Sequence, residues 1–259
     1  MSIIWFYSLL SVIIISLISL IGAFFLVFQE KKLEKILFYM VSFSAGAILG
    51  DVFIHLLPEI ILEFNQVQKS SVLILIGIII FAVFEKCIIW WHHHVPIEDD
   101  HSHNSKSQLG ATVQISSLSW TILLGDGLHN FIDGIIIAGS FLVSIPTGIA
   151  TTIAVAFHEI PHEIGNLGVL INAGLNKKRA LFLNFLSALP AILGAILVLV
   201  VGDKINSFNF YILAFTIGGF IYIACSDLIP ELHSKHLKFS QACTQLFVFL
   251  LGIGIMGLI

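Results

Sequence analysis

The chain has 259 residues, 58% of them apolar, with 12 Lys/Arg, 16 Asp/Glu and a formal net charge of -4. Mean hydropathy is +1.02. Charged residues make up 11%, about half the usual share; that is too few to cover a soluble surface, which excludes an ordinary cytosolic enzyme, a disordered chain and a nucleic-acid binder and leaves a polytopic membrane protein.

Eight apolar stretches of spanning length follow in order, at 3–28, 36–62, 71–91, 112–139, 145–173, 180–201, 209–230 and 240–259. Each exceeds strand length and lacks the two-residue alternation of a barrel strand, so the expected fold class is all-α with eight transmembrane helices. The first stretch has no basic segment before it and is long enough to span, which predicts a retained helix rather than a signal peptide. The chain divides into 1–91 (helices one to three), a cytoplasmic His-rich loop at 92–111, a central pair at 112–173, and 174–259 (helices six to eight). Cys87, Cys225 and Cys243 are far apart, with no CxxC pair, and read as apolar fillers.

Charge tests the count. The first, third, fifth and seventh connections with their flanks hold Lys31, Lys32, Lys35, Lys86, Lys106, Lys177, Lys178, Arg179, Lys235 and Lys238, ten of the twelve basic residues; the other side holds Lys69 and Lys204. That asymmetry places the His-rich loop in the cytoplasm and both termini outside, in a multi-pass protein for which the plasma membrane is favoured.

A short internal repeat links stretches two and seven. Gly46 through His55-Leu56-Leu57-Pro58-Glu59 aligns with Gly218 through Asp227-Leu228-Ile229-Pro230-Glu231, in helices of opposite direction. Inverted repeats mark transporters, although a proline near a helix end is also an ordinary terminator.

Stretches four and five carry the chemistry. Asp126, His129, Asn130 and Asp133 fall within about 100° of one helix, and His158, Glu159, His162, Glu163 and Asn166 within about 140° of the next. Such groups are costly in a bilayer and must face one another, water or an ion. Imidazole with carboxylate suits zinc, and equally iron, manganese, cobalt or cadmium. A first four-ligand site can be drawn from His129, Asp133, His158 and His162, with Asn130 and Glu159 available to a second ion. Pro161 frees the carbonyl of Phe157, which is expected to face a water-filled path. The bland alternative is a polar network that glues two helices.

His158-Glu159-Ile160-Pro161-His162 also spells HExxH, the zincin pattern, which raises an intramembrane metalloprotease. A polar stripe that continues past the motif, and a proline inside it, favour ion permeation and a non-enzyme. A channel and an efflux carrier remain the other transport readings. No ATP-binding motif is present, so transport is expected to be secondary or facilitated, without an organic cofactor.

His129-Asn130-x-x-Asp133-Gly134 and His158-Glu159-Ile160-Pro161-His162-Glu163 resemble the HNxxDG and HExPHE motifs of the ZIP family of divalent-metal transporters. The resemblance runs along essentially the whole chain. It implies a 3+2+3 arrangement of inverted repeats, metal uptake into the cytoplasm and a homodimer in the lipid bilayer. Carried onto this sequence, it implies a metal centre at His129, Asn130, Asp133, His158, Glu159 and His162. The subfamily motif ends in Asp where this chain has Asn166, which removes one negative charge. Asp126, Glu163, Asn166, His55, Glu59, Asp227 and Glu231 are expected along the path or at a second site. His92, His93, His94, His101 and His103, with Glu98, Asp99 and Asp100, read as a metal-collecting loop or as a solvated linker.

Overall fold

The computed structural model describes residues 2–25, 30–94, 117–202, 204, 205, 207–233 and 237–259. His101 and His103 of the His-rich loop lie outside these residues, as do the side chains of His92, His93 and His94.

Every regular element among the described residues is helical. Helix α1 (Ser2–Ile18) runs into a 3-10 turn, Ser19–Ile21, and a last turn, Gly22–Phe25. Helix α2 comprises Glu30–Gly50, a π-helical stretch Asp51–Leu56, and Leu57–Phe64. Helices α3 (Val67–His94), α4 (Ser117–Val143) and α5 (Ile145–Asn172) follow. Helix α6 is broken at Leu189 into Lys177–Ala188 and Pro190–Gly202. Helix α7 repeats the plan of α2, with Phe208–Ile223, a π-helical stretch Ala224–Leu228, and Ile229–His233. Helix α8 is Phe239–Met256.

Seven of these helices are long and apolar enough to cross a membrane, within Ile3–Ile21, Lys35–Leu62, Val67–Cys87, Ile122–Val143, Lys177–Gly202, Phe208–His233 and Phe239–Met256. The chain is thus a polytopic, all-helical membrane protein. Helix α5 has 28 residues, but its two histidines and two glutamates lower its apolar content. Its start is nonetheless well specified. Ser144 caps it by accepting from the amide of Thr147 at 3.2 Å, and Pro146 occupies the first turn, where a missing N–H costs nothing. Helices α4 and α5 are therefore joined by a single residue.

Glycines set the closest helix pairs. A side chain at Gly46 would strike the backbone at Phe249, and one at Gly252 would strike the carbonyl of Phe43, so α2 and α8 pack backbone to backbone. Gly218 meets Gly77 in the same way, pairing α7 with α3. Gly134 and Gly194 lie on the backbones of Ala191 and Phe131, which locks α4 to α6. Small residues at crossings are how helices associate where no hydrophobic drive separates them from lipid. Residue order along each seam makes α2 parallel to α8, α3 to α7, and α4 to α6. Contacts of α5 with α2 (Ser44 to Phe157, Asp51 to Thr151) and with α4 (Asp126 to Asn166) run antiparallel.

The aligned segments of α2 and α7 correspond beyond their letters. Gly46 and Gly218 occupy equivalent places, each against a partner helix. The π-helical stretches precede Pro58 and Pro230 respectively. A wide turn removes the clash between a proline ring and the carbonyl a turn earlier, and such turns cluster at functional positions. One apolar cluster joins all eight helices, including Ile15, Ile48, Phe81, Ile137, Ala154, Ala195, Phe220 and Met256. Phe6, Leu75, Val83, Phe182, Leu193 and Phe247 remain exposed on the periphery, where the surrounding solvent is hydrocarbon.

Candidate metal centre

The two polar stripes meet at mid-length of α4 and α5. His129 Nε2 lies 3.2 Å from Glu159 Oε1, 3.4 Å from His158 Nε2 and 3.8 Å from Asp133 Oδ2. His158 Nε2 lies 3.4 Å from both Asp133 Oδ2 and Glu159 Oε1. One ligand atom from each of the four residues lies within 4.8 Å of the other three. A tetrahedral zinc shell with bonds of about 2.0–2.1 Å has edges of about 3.4 Å between ligands. Five of the six separations, 3.2–3.8 Å, are thus close to the edges of such a shell, and the sixth, between Asp133 and Glu159, is within 4.8 Å.

Hydrogen bonding points the same way. Asp133 is fully buried, and neither of its carboxylate oxygens, nor Glu159 Oε1, has a hydrogen-bond partner. Imidazole nitrogens stand 3.2–3.4 Å from Asp133 Oδ2 and Glu159 Oε1 but outside hydrogen-bonding geometry, and a cation between imidazole and carboxylate would supply what the buried oxygens lack.

The site differs in membership from the first set drawn from sequence. His162 stands outside the four; its Nδ1 is 4.0 Å from Glu159 Oε1 and 3.4 Å from Asp126 Oδ1. Its ring lies 4.8 Å from that of His129, centre to centre. Asn130 is buried, and its amide donates to the backbone carbonyl of Asp126 at 3.2 Å, while its Oδ1 has no partner. Asp126 accepts from Asn166 at 2.7 Å on one oxygen and from Ser187 at 2.5 Å on the other. Glu163 is buried and accepts from Asn184 of α6 at 2.5 Å.

The expected exposure of the Phe157 carbonyl does not occur. Pro161 removes its helical donor, but Ser44 Oγ of α2 donates to it at 2.5 Å. A hydroxyl from a neighbouring helix serves better here than water because the seam is closed.

Two cavities of about 290 and about 280 Å³ reach the cluster. His129, His162, Asn166 and Asp227 line both. The first adds Glu85 and Tyr222, whose hydroxyl donates to Glu85. The second adds Leu37, Val41 and Glu231. These residues belong to the early turns of α2, the late turns of α3, α5 and α7, and the first half of α4. Both cavities thus open toward one end, that of the α3–α4 and α5–α6 connections, here called the basic end. At the far end Val52, Leu56, Ala150, Phe141, Phe210 and Leu213 are nearly inaccessible and fill the equivalent space.

Asp227 and Glu231 thus lie beside the cavities. His55 and Glu59 do not; they sit on the far-end part of α2. There His55 Nδ1 is 3.1 Å from Asp51, which is fully buried and accepts from Thr151 of α5 at 2.9 Å. Sequence reasoning passed over Asp51, Glu85, Asn184 and Ser187. For Asp51 a signal was present, because it stands four residues before His55, on the same face of a helix.

The sequence profile of the family described as ZIP Zinc transporter matches residues 2–116 and 95–259. The chain belongs to the ZIP zinc transporter family. Among its ZIP relatives, "Zinc transporter ZIP10" of Homo sapiens is 41% identical over 142 residues, covering 55% of this chain and 17% of that protein. "Metal cation symporter ZIP14" of Xenopus tropicalis is 33% identical over 289 residues, covering 89% of this chain and 62% of the relative. "Zinc transporter foi" of Drosophila melanogaster is 39% identical over 145 residues, covering 56% and 20%. The chain therefore spans between 17% and 62% of the length of these ZIP proteins.

Proposed function

We propose that this protein carries divalent metal ions, zinc first among them, across a membrane and into the cytoplasm, with His129, Asp133, His158 and Glu159 as the central coordinating set. The observation that carries this reading is the convergence of four ligand atoms, three of them on buried side chains, at mid-length of two helices, with the two cavities that reach them both opening toward the basic end. His162, Asp126, Asn166 and Asp227 line the way from that set to the basic end, and Asn130 joins it from the buried side. Glu159 belongs to the ligand cluster itself. In an HExxH hydrolase the glutamate stands beside the metal as a base, so this geometry favours carriage over peptide cleavage.

Eight passes in a 3+2+3 plan complete the reading. Since α4 and α6 are parallel, the chain must return across the bilayer between them, and α5 is the segment that lies there. The α2–α8 and α3–α7 pairs exchange under the repeat, as inverted halves would. Ten basic residues at the odd-numbered connections support a cytoplasmic basic end. Zinc then sheds water on arrival from the far end, takes the His and carboxylate ligands, and leaves through the cavities. The family resemblance implies a homodimer, and the plasma membrane is the favoured location. Zinc uptake into vesicles containing the purified protein tests the function: His158→Ala and Asp133→Ala should each abolish it. Transport at the unmodified rate by both variants would sink the site assignment, and peptide cleavage without flux would reverse the choice of function.

A further inference from the structure

We infer that the hydroxyl of Thr151 is a fastener that holds the far end of the molecule shut, by donating to buried Asp51 across the α2–α5 seam, and that the equivalent positions at the basic end, Ile122 and Ile223, carry no such pair. This rests on the transport reading above, because a fastener matters to a carrier that opens to both sides in turn.

Two alignments relate the two ends of the molecule. Pro58 corresponds to Pro230 and Gly46 to Gly218, so each α2 residue maps to an α7 residue 172 positions on. His129-Asn130-x-x-Asp133 corresponds to His158-Glu159-x-x-His162, so each α4 residue maps to an α5 residue 29 positions on. The inverted halves thus pair the α2–α5 seam with the α7–α4 seam. Under these offsets Asp51 becomes Ile223, and Thr151 becomes Ile122. Ile122 and Ile223 both line the first cavity at the basic end.

The two seams are therefore chemically unequal. At the far end, Asp51 Oδ2 accepts from Thr151 at 2.9 Å with both side chains fully buried, and Asp51 Oδ1 is 3.1 Å from Nδ1 of the partly exposed His55. At the basic end the positions equivalent to Asp51 and Thr151 are two isoleucines, with no hydroxyl and no carboxylate between them, although Asp227, the equivalent of His55, lines the same cavity. A hydrogen bond to a carboxylate in a dry seam is directional and lost abruptly when helices separate, whereas apolar contact is not. The far end is the harder one to open. The metal-free protein should rest as it stands here, sealed at the far end and open at the basic end, and each transport cycle must break the Thr151–Asp51 bond.

Labelling of a reporter cysteine tests this without any metal flux. Ala154 is fully buried one turn from Thr151. Ala154→Cys is placed in a background in which Cys87, Cys225 and Cys243 are serine, and a membrane-impermeant maleimide is applied in metal-free buffer from the far-end side. Thr151→Val keeps the shape and removes the donor; it should raise the labelling rate about tenfold. Thr151→Ser restores the donor and should return the rate to near its original value. If the valine variant does not accumulate, Thr151→Ala gives the same readout. Equal labelling of donor-free and donor-bearing variants would overturn the inference. Since the readout is accessibility, a failure of His158→Ala to stop zinc uptake would remove the transport reading and leave the labelling result standing.

Discussion

The side-chain amide of Asn166 donates to Asp126 Oδ1 at 2.7 Å, tying α5 to α4 one step from the metal cluster. A carboxylate at 166 would face Asp126 instead of bonding to it. Asn166→Asp should therefore destabilise the metal-free protein, and a divalent ion should compensate. The measurement is thermal unfolding in detergent with and without zinc. The zinc-induced rise in Tm should be larger for Asn166→Asp than for the unmodified chain, and an equal rise would show that position 166 does not meet the ion.

The tetrahedral set makes an ordering among histidines. His158 lies inside it, and His162 stands beyond it, against Asp126. His158→Ala should lower zinc uptake by at least about tenfold, because removal of one ligand leaves buried carboxylates poorly compensated. His162→Ala should cost distinctly less. Initial rates of uptake into vesicles, measured side by side, check the order, and a more damaging His162→Ala would shift the centre toward Asp126.

The stripes on α4 and α5 were plain in the sequence, since the motifs and their helical spacing are read directly from the letters. Which four atoms converge was not. Glu159 and His162 lie within the same broad arc, and the choice between them depends on side-chain length and on the local path of a helix that contains Pro161. The carbonyl of Phe157 was correctly marked as lacking a donor, but the donor came from Ser44, 113 residues away. The spacing of Asp51 and His55 is legible as a local pair, but the contact of Asp51 with Thr151, 100 residues on, is not. The repeat around Pro58 and Pro230 could be read, whereas the widening of both helices before those prolines could not, because a π turn has no distinctive letters.

Ser44 offers a further test. Its hydroxyl has one proton and two carbonyls in reach, Met40 at 2.8 Å and Phe157 at 2.5 Å. The Met40 carbonyl belongs to a regular helix and already has its own backbone donor, whereas Phe157 lost its donor to Pro161. Ser44→Ala should therefore cost about 1–3 kcal/mol, the penalty for an unsatisfied buried acceptor. Denaturant or thermal unfolding should register it. In a Pro161→Ala background, which restores the helical N–H, most of that cost should vanish.

Close packing of α4 on α6 gives a sharper contrast. Gly134→Val and Gly194→Val would each push a side chain into the backbone of Ala191 or Phe131, which cannot yield as a flexible side chain could. Each should cost more than the about 1–3 kcal/mol usual for overpacking and leave little monodisperse protein. Gly254, by comparison, has nothing within 4 Å of an added methyl. Gly254→Ala should hold or gain stability by up to about 1 kcal/mol, since alanine orders more cheaply within a helix. Size-exclusion profiles and Tm values of the three variants check this.

The π-helical stretches in α2 and α7 have a practical consequence for anyone placing probes on this molecule. Each packs one residue too many into its turn, so that a helical wheel drawn from Glu30 falls out of phase by about 100° beyond Leu56. The same slip overtakes a wheel drawn from Phe208 once Leu228 is passed. A scanning series across either helix would therefore show its sensitive face jump sideways partway along. Deleting a single residue within Asp51–Leu56 would remove the wide turn yet leave Glu59 and Phe64 on the faces they now occupy, because the lost residue and the lost slip cancel, whereas inserting one would swing both by about 100°, an error in rotation that no change of side chain could imitate.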